Sequence, residues 1–218
     1  MNPGKRDDDA IGLAFGLLIL AIFIGLFVIA LFIYPFFIGG TNVGTKLSNV
    51  PYPPAIASDV TGYEDISGVV SGVPVSNPAP DPSRMGLVTL PVMIQQFTQG
   101  PEGPPAIDMR KTRIWFTANG KIEELPLYDN RPLLKPAWTV AGKSGAGEGT
   151  SADEDDFLEP NEVFTILVYP GTPIGPGTPF SIDIRMSGQW PLTVNMTVPG
   201  HIQPEMNLGK PENIARES

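Results

Sequence analysis

The sequence predicts an α+β chain in which one long N-terminal hydrophobic helix is followed by an all-β sandwich. Three observations carry that expectation. Ala10 to Ile38 reads AIGLAFGLLILAIFIGLFVIALFIYPFFI without a charged residue. Beyond Gly86 the apolar residues recur with period two, the spacing of strands with one buried face. The 25 prolines and 24 glycines, set against only 17% charged residues, supply turns at the density that many short strands need.

Residues 1–9, MNPGKRDDD, form a leader or tail that the positive-inside rule places in the cytoplasm, because Lys5 and Arg6 precede the apolar run. The hydrophobic helix occupies 10–40. At about 1.5 Å per residue the uncharged stretch reaches about 43 Å, more than the roughly 30 Å of a bilayer's hydrocarbon core. A helix that is apolar all round needs lipid, or a ring of equally apolar helices, as its surroundings. Gly12 and Gly16 lie on one helical face, with Gly25 further along, and would let another helix backbone approach closely. Pro35 kinks or ends this helix, and Gly39 and Gly40 offer its C-terminal stop.

Residues 41–86 read as a Pro/Gly-rich linker. Pro51, Pro53 and Pro54 forbid a continuous helix, and Pro78, Pro80 and Pro82 stiffen a second stretch, with a short helix or strand between Asp59 and Val73. The sandwich is expected over 87–208. Leu87 to Phe97 is a strand in which Pro91 suggests an edge position or a bulge. Thr112 to Thr117 and Lys121 to Leu127 flank Ala118-Asn119-Gly120, a hairpin signal. Glu162 to Tyr169 is a further strand. Phe180, Ile182, Ile184 and Met186 alternate with polar residues, and Leu192, Val194, Met196 and Val198 repeat the pattern after a turn at Gly188. Short strands with Gly/Pro turns and no helix-length pattern between them point to an immunoglobulin-like sandwich. Residues 209–218 form a polar, frayed tail.

Composition removes several functions. A net charge of −9, from 14 basic against 23 acidic residues, opposes nucleic-acid binding. There is no cysteine for a disulfide, a thiol nucleophile or a thiolate metal site, and His201 is the only histidine. No phosphate loop, nucleophile motif or paired catalytic carboxylate stands out, so neither an enzyme nor a small-molecule substrate is expected. Asp153, Asp155, Asp156 and Glu159 offer hard oxygen ligands suited to calcium, although a charge run of this kind also serves as a solvated face. No other cofactor is implied. Asn195-Met196-Thr197 is a glycosylation sequon on the polar face of its strand. Trp115, Trp138 and Trp190 read as core or interface anchors.

A family resemblance follows from the order of several motifs. A Lys-Arg pair stands before an apolar segment and a β-domain. In the C-terminal half, Ile107-Asp108 leads into Thr112-Arg113-Ile114-Trp115-Phe116. Phe157-Leu158-Glu159-Pro160-Asn161-Glu162 precedes Phe164-Thr165-Ile166, then comes Pro179-Phe180-Ser181-Ile182-Asp183-Ile184-Arg185. The closing stretch is Leu192-Thr193-Val194-Asn195-Met196-Thr197-Val198-Pro199-Gly200-His201-Ile202. Together these span about Leu87 to Leu208 and resemble the archaellins, the archaeal flagellins related to type IV pilins. The resemblance implies a filament subunit inserted in the cell membrane before assembly into an extracellular homo- or hetero-polymer, with hydrophobic helices inside and β-domains outside. It also implies processing between Arg6 and Asp7. Pro35 and Pro51 to Pro54 interrupt the long helix of that family, which leaves open an uncleaved, membrane-anchored archaellum accessory or stator-like protein, or another extracellular binding module.

Overall fold

The computed structural model describes residues 20–22, 53–95, 106–147, 151–211 and 214–215. The chain divides into two compact units, Met1–Leu47 and Ser48–Ser218. In the first, residues 20–22 are helical and exposed, with Leu20 and Ile22 both more than half accessible. The rest of the stretch expected as a helix over 10–40, together with Gly12, Gly16, Gly25, Arg6 and Asp7, lies outside the described residues. Among the described residues, no helix is long and apolar enough to cross a membrane.

The second unit is built from strands β1 (Pro54–Ile56), β2 (Val60–Glu64), β3 (Gly68–Val70), β4 (Val73–Ser76), β5 (Met85–Ile94), β6 (Ile107–Asp108), β7 (Arg113–Ala118), β8 (Lys121–Leu125), β9 (Leu133–Leu134), β10 (Ala137–Gly145), β11 (Phe157–Leu158), β12 (Glu162–Tyr169), β13 (Pro179–Arg185), β14 (Leu192–Thr197), β15 (Glu205–Gly209) and β16 (Ile214–Ala215). One sheet runs β10-β12-β5-β2-β15, with β1 also paired to β5. A second runs β16-β14-β13-β7-β8, and its described pairings, like those of the first, are antiparallel. The two sheets face each other across the main core. Phe164, Ile166 and Val168 of β12 and Val88, Leu90 and Val92 of β5 share it with Ile114, Phe116, Phe180, Ile182, Ile184 and Val194 of the second sheet. Phe116 and Phe180 stack at 5.6 Å between ring centroids. Each such side chain contributes about 1.5–3 kcal/mol by leaving water, so the period-two pattern of β7, β13 and β14 fixes their register.

The hairpin signal is met. Ala118 pairs with Lys121 across a two-residue loop, and Asn119 and Gly120 both take positive φ, 52° and 73°, as a turn matched to strand twist requires.

The stretch expected as a linker is instead structural. Residues 54–76 form β1 to β4, two of them in the first sheet and two in a small third layer, β3-β4-β9. That layer covers the outer face of the first sheet. Val70, Val73, Val75 and Leu133 pack on Leu87, Ala137, Leu167 and Tyr169. Strands of three to five residues are too short to display an alternating pattern among prolines and glycines, so their burial is visible only once the sheet beneath them exists. β12 is consequently buried on both faces along Ile166–Tyr169, while Val163 and Thr165, beyond the third layer, are only partly covered.

Pro91 is not at an edge. It lies in β5, between β12 on one side and β1 and β2 on the other. Its carbonyl accepts from the Ala57 N–H at 2.8 Å, and a strand residue's nitrogen points to the same side as its carbonyl. That side is where β1 ends and β2 has not begun, so the absent donor of Pro91 falls at a break in the neighbouring strand. The C-terminal residues also differ from a frayed tail, since β15 reaches Gly209 and pairs with β2, and Ile214–Ala215 pairs with β14.

Candidate functional site

The outer face of the second sheet brings together residues that the alternation turns away from the core. Arg113 and Arg185 are direct cross-strand partners on β7 and β13, an arrangement of like charges that is unfavourable by itself. Trp115 resolves it. The Arg113 and Arg185 guanidinium carbons lie 5.0 and 4.6 Å from its ring centroid, where the negative π-face attracts both. Glu124 on β8 holds Arg113 in a two-pronged bond, at 2.8 Å from Nε to Oε1 and 2.9 Å from Nη2 to Oε2. Beside them the Thr193 hydroxyl donates to Asp183 at 2.6 Å, and Ile122 stands 69% exposed. An aromatic ring flanked by two preordered cations suits contact with an acidic or aromatic surface of another macromolecule.

The same face carries the sequon. Asn195 and Thr197 of β14 are exposed. Asn195 lines an open groove of about 820 Å³, together with Asn119, Phe180, Met196, Leu208 and Pro211. His201 is exposed, Trp138 is buried in the main core and Trp190 is half-buried.

The acidic loop is organised by a residue the sequence pattern did not single out. Glu162, buried at the start of β12, accepts the Asp153 N–H at 3.1 Å and the Glu159 N–H at 3.0 Å. Its carboxylate comes together with those of Asp153 and Glu159, the ligand oxygens within 4.8 Å of one another. This all-carboxylate set is the part of the loop able to hold a hard cation, although both Glu162 oxygens already bind loop amides. Asp155 and Asp156 are engaged elsewhere. Asp155 accepts the Phe157 N–H at 2.8 Å. Asp156 faces Lys143 at 3.5 Å and Arg110 at 3.9 Å. Lys143 also donates to the carbonyls of Glu154, at 3.0 Å, and Asp155. Arg110 bonds Asp108 at 3.0 Å, and this bond holds the Asp108 carboxyl below the usual carboxylate range against the opposing effect of desolvation.

A second buried polar group joins the third layer to the first sheet. Asp65 is fully buried after a β-bulge at which Gly86 is the extra residue of β5. A side chain at Gly86 would lie 2.7 Å from the Asp65 Cα, so only glycine permits this approach. Asp65 accepts from Asn77 Nδ2 at 2.7 Å and from the Asp81 N–H at 3.1 Å, and pairs with Lys135 at 3.4 Å. The partners are 12, 16 and 70 residues away in sequence, and no local motif connects them.

No protein-family model matches the sequence, and comparison with curated proteins gives no match. Among solved structures, archaeal flagellin FlaB1 from Methanocaldococcus jannaschii aligns with a TM-score of 0.51 at 12% identity, over 74% of this chain and 99% of the flagellin. The archaeal flagellum of Methanospirillum hungatei strain JF1 aligns at 0.43 with 14% identity, covering 94% and 97% of the two chains. The archaellum periplasmic stator protein FlaG from Sulfolobus acidocaldarius aligns at 0.36 with 15% identity, over 63% and 98%. The likeness to FlaB1 shows that the chain has an archaellin-like fold.

Proposed function

We propose that this chain is a structural subunit of an archaeal surface filament, the archaellum of swimming motility, in which hydrophobic helices form the core and β-domains the exterior. The observation that supports it best is the joining, in one chain, of an uncharged 29-residue run to a sandwich of archaellin-like fold. In this reading the hydrophobic helix of 10–40, kinked or ended at Pro35, uses lipid before assembly and other helices afterwards, and an all-round apolar surface serves both. The sandwich is immunoglobulin-like and faces water, where the acidic balance keeps it soluble. Partners are further copies or related subunits, the role is structural rather than catalytic, and no resident cofactor is required. A filament needs heterologous contacts that do not close, and the Trp115 face offers one half of such a contact.

One observation favours a second reading, an uncleaved, membrane-anchored accessory or stator-like module. Strand β1 opens at Pro54, directly behind Pro51 and Pro53, so the helix cannot extend into the domain as one rod. Mass spectrometry of the N-terminus in sheared surface material separates the two readings. The filament reading expects a chain starting at or near Asp7 in that fraction; an intact Met1 found only in membranes would sink it.

A further inference from the structure

We propose that Lys135 and Asn77 are joined by an intramolecular isopeptide bond, closed by the buried carboxylate of Asp65. In the third layer β4 and β9 run parallel with Ser76 opposite Leu134, so Asn77 and Lys135 are the next residues of two adjacent strands. Both side chains follow the alternation inward. Val75 and Leu133 are buried against the first sheet, Asn77 is 3% exposed, and the Lys135 ammonium lies 5.7 Å from the Tyr169 ring centroid.

Asp65 and the Ala79 N–H supply the proton-transfer and oxyanion contacts that amide exchange needs. Asp65 Oδ2 lies 3.4 Å from Lys135 Nζ, positioned to take a proton from the ammonium. Asp65 Oδ1 accepts from Asn77 Nδ2 at 2.7 Å, positioned to return a proton to the leaving nitrogen. Asn77 Oδ1 accepts the Ala79 N–H at 3.2 Å, a donor aimed at the oxygen where negative charge develops. The bond forms as follows. Oδ2 takes the ammonium proton, the Nζ lone pair adds to the Asn77 Cγ, and the carbonyl π electrons move to Oδ1. As the carbonyl re-forms, the Cγ–Nδ2 bond breaks and its electron pair leaves with nitrogen, which receives the proton held on Asp65; the second proton of Nζ then passes through the Asp65 carboxylate to the released ammonia. In sum, one ammonium and one carboxamide give a secondary amide and an ammonium ion. Asp65 ends as the carboxylate it began as, and no oxidant, metal or other reactant enters. Fixed neighbours make the addition effectively unimolecular, the main advantage a folded site can give a sluggish acyl exchange. The link ties two strands of two and four residues into the layer that covers Leu167 and Tyr169, in a chain without cysteine.

Peptide and intact masses of the folded, full-length chain in detergent test this, independently of whether the chain forms filaments. The wild-type chain should weigh about 17 Da less than its sequence, the mass of one ammonia. Trypsin should release residues 47–84 covalently joined to residues 122–143, a product whose mass N-terminal processing does not alter. Lys135→Arg, which keeps the charge, and Asp65→Asn, which removes the base, should each return the mass to that of the sequence and separate the two peptides. A folded wild-type chain with its full sequence mass overturns the proposal. A loss of about 18 Da, with the link on Asp65, overturns it too, because the acyl group would then be the wrong one.

Discussion

Leu167→Ala tests the three-layer architecture. Leu167 is on the face of β12 opposite Phe164, Ile166 and Val168, and in a plain two-sheet sandwich it would face water. It is 0% exposed because Val70, Val73, Val75 and Leu133 lie over that face. Truncating a fully buried leucine removes its transfer free energy and leaves a cavity, at a cost of about 2–5 kcal/mol. A thin covering layer can partly collapse into the space, which favours the lower half, about 2–3 kcal/mol. For a unit of this size each kcal/mol moves the midpoint by roughly 2–4 °C, so a fall of about 4–12 °C is expected. Thermal unfolding of the full chain in detergent, followed by the fluorescence of buried Trp138, gives the value. Thr165→Ala, on the same face beyond the third layer, should shift the midpoint much less. A change of less than about 0.5 kcal/mol for Leu167→Ala, the range of ordinary surface substitutions, would refute the burial and return residues 68–76 to the status of a linker.

Glu162→Gln replaces a carboxylate that accepts two loop amides, and should cost about 1.5–3 kcal/mol; limited proteolysis should then cut within 151–161, while the parent resists. Arg185→Ala removes one guanidinium from the Trp115 face and should cost only about 0.5–1 kcal/mol, measurable by urea unfolding. The Tyr169 hydroxyl is buried without a well-formed hydrogen bond, and burial first, then the charge of Asp65, push its ionisation above the ordinary phenol value of 10.0, with the Asn77 amide pulling the other way. Because the folded-state value is raised, that stabilisation is complete below pH 10.0 and is lost as pH climbs through the folded-state value, since only the unfolded chain has by then released its proton. Tyr169→Phe should therefore leave neutral-pH stability unchanged or higher and flatten the decline above pH 10.0, as read from unfolding midpoints across a pH series.

The strands legible in the sequence were those whose burial comes from one partner sheet. β12 matches its expected bounds, and β13 and β14 show their alternation because one face meets the main core and the other meets water. β10 is not legible in the sequence because only its first residues, Ala137 and Trp138, are buried, and TVAGKSG after them runs along an edge that packing does not define. β1 to β4 were obscured by proline and glycine, residues that break helices but also permit short strands, bulges and close backbone approach, as Gly86 does beneath Asp65. The acidic loop was visible as a charge run. Its organiser Glu162 looked like the first residue of a strand, since nothing local reveals that both its oxygens turn back to loop amides. The cluster of Asp65, Asn77 and Lys135 depends on pairing between strands far apart in the chain, so only the folded topology assembles it.

In the proposed function the uncharged run and the archaellin-like sandwich together make a filament subunit. Electron microscopy of the material sheared from cells and enriched with an antibody to the β-domain tests it most directly. Helical filaments decorated along their length are the expected result. Dispersed particles, or label confined to membrane fragments, would contradict it.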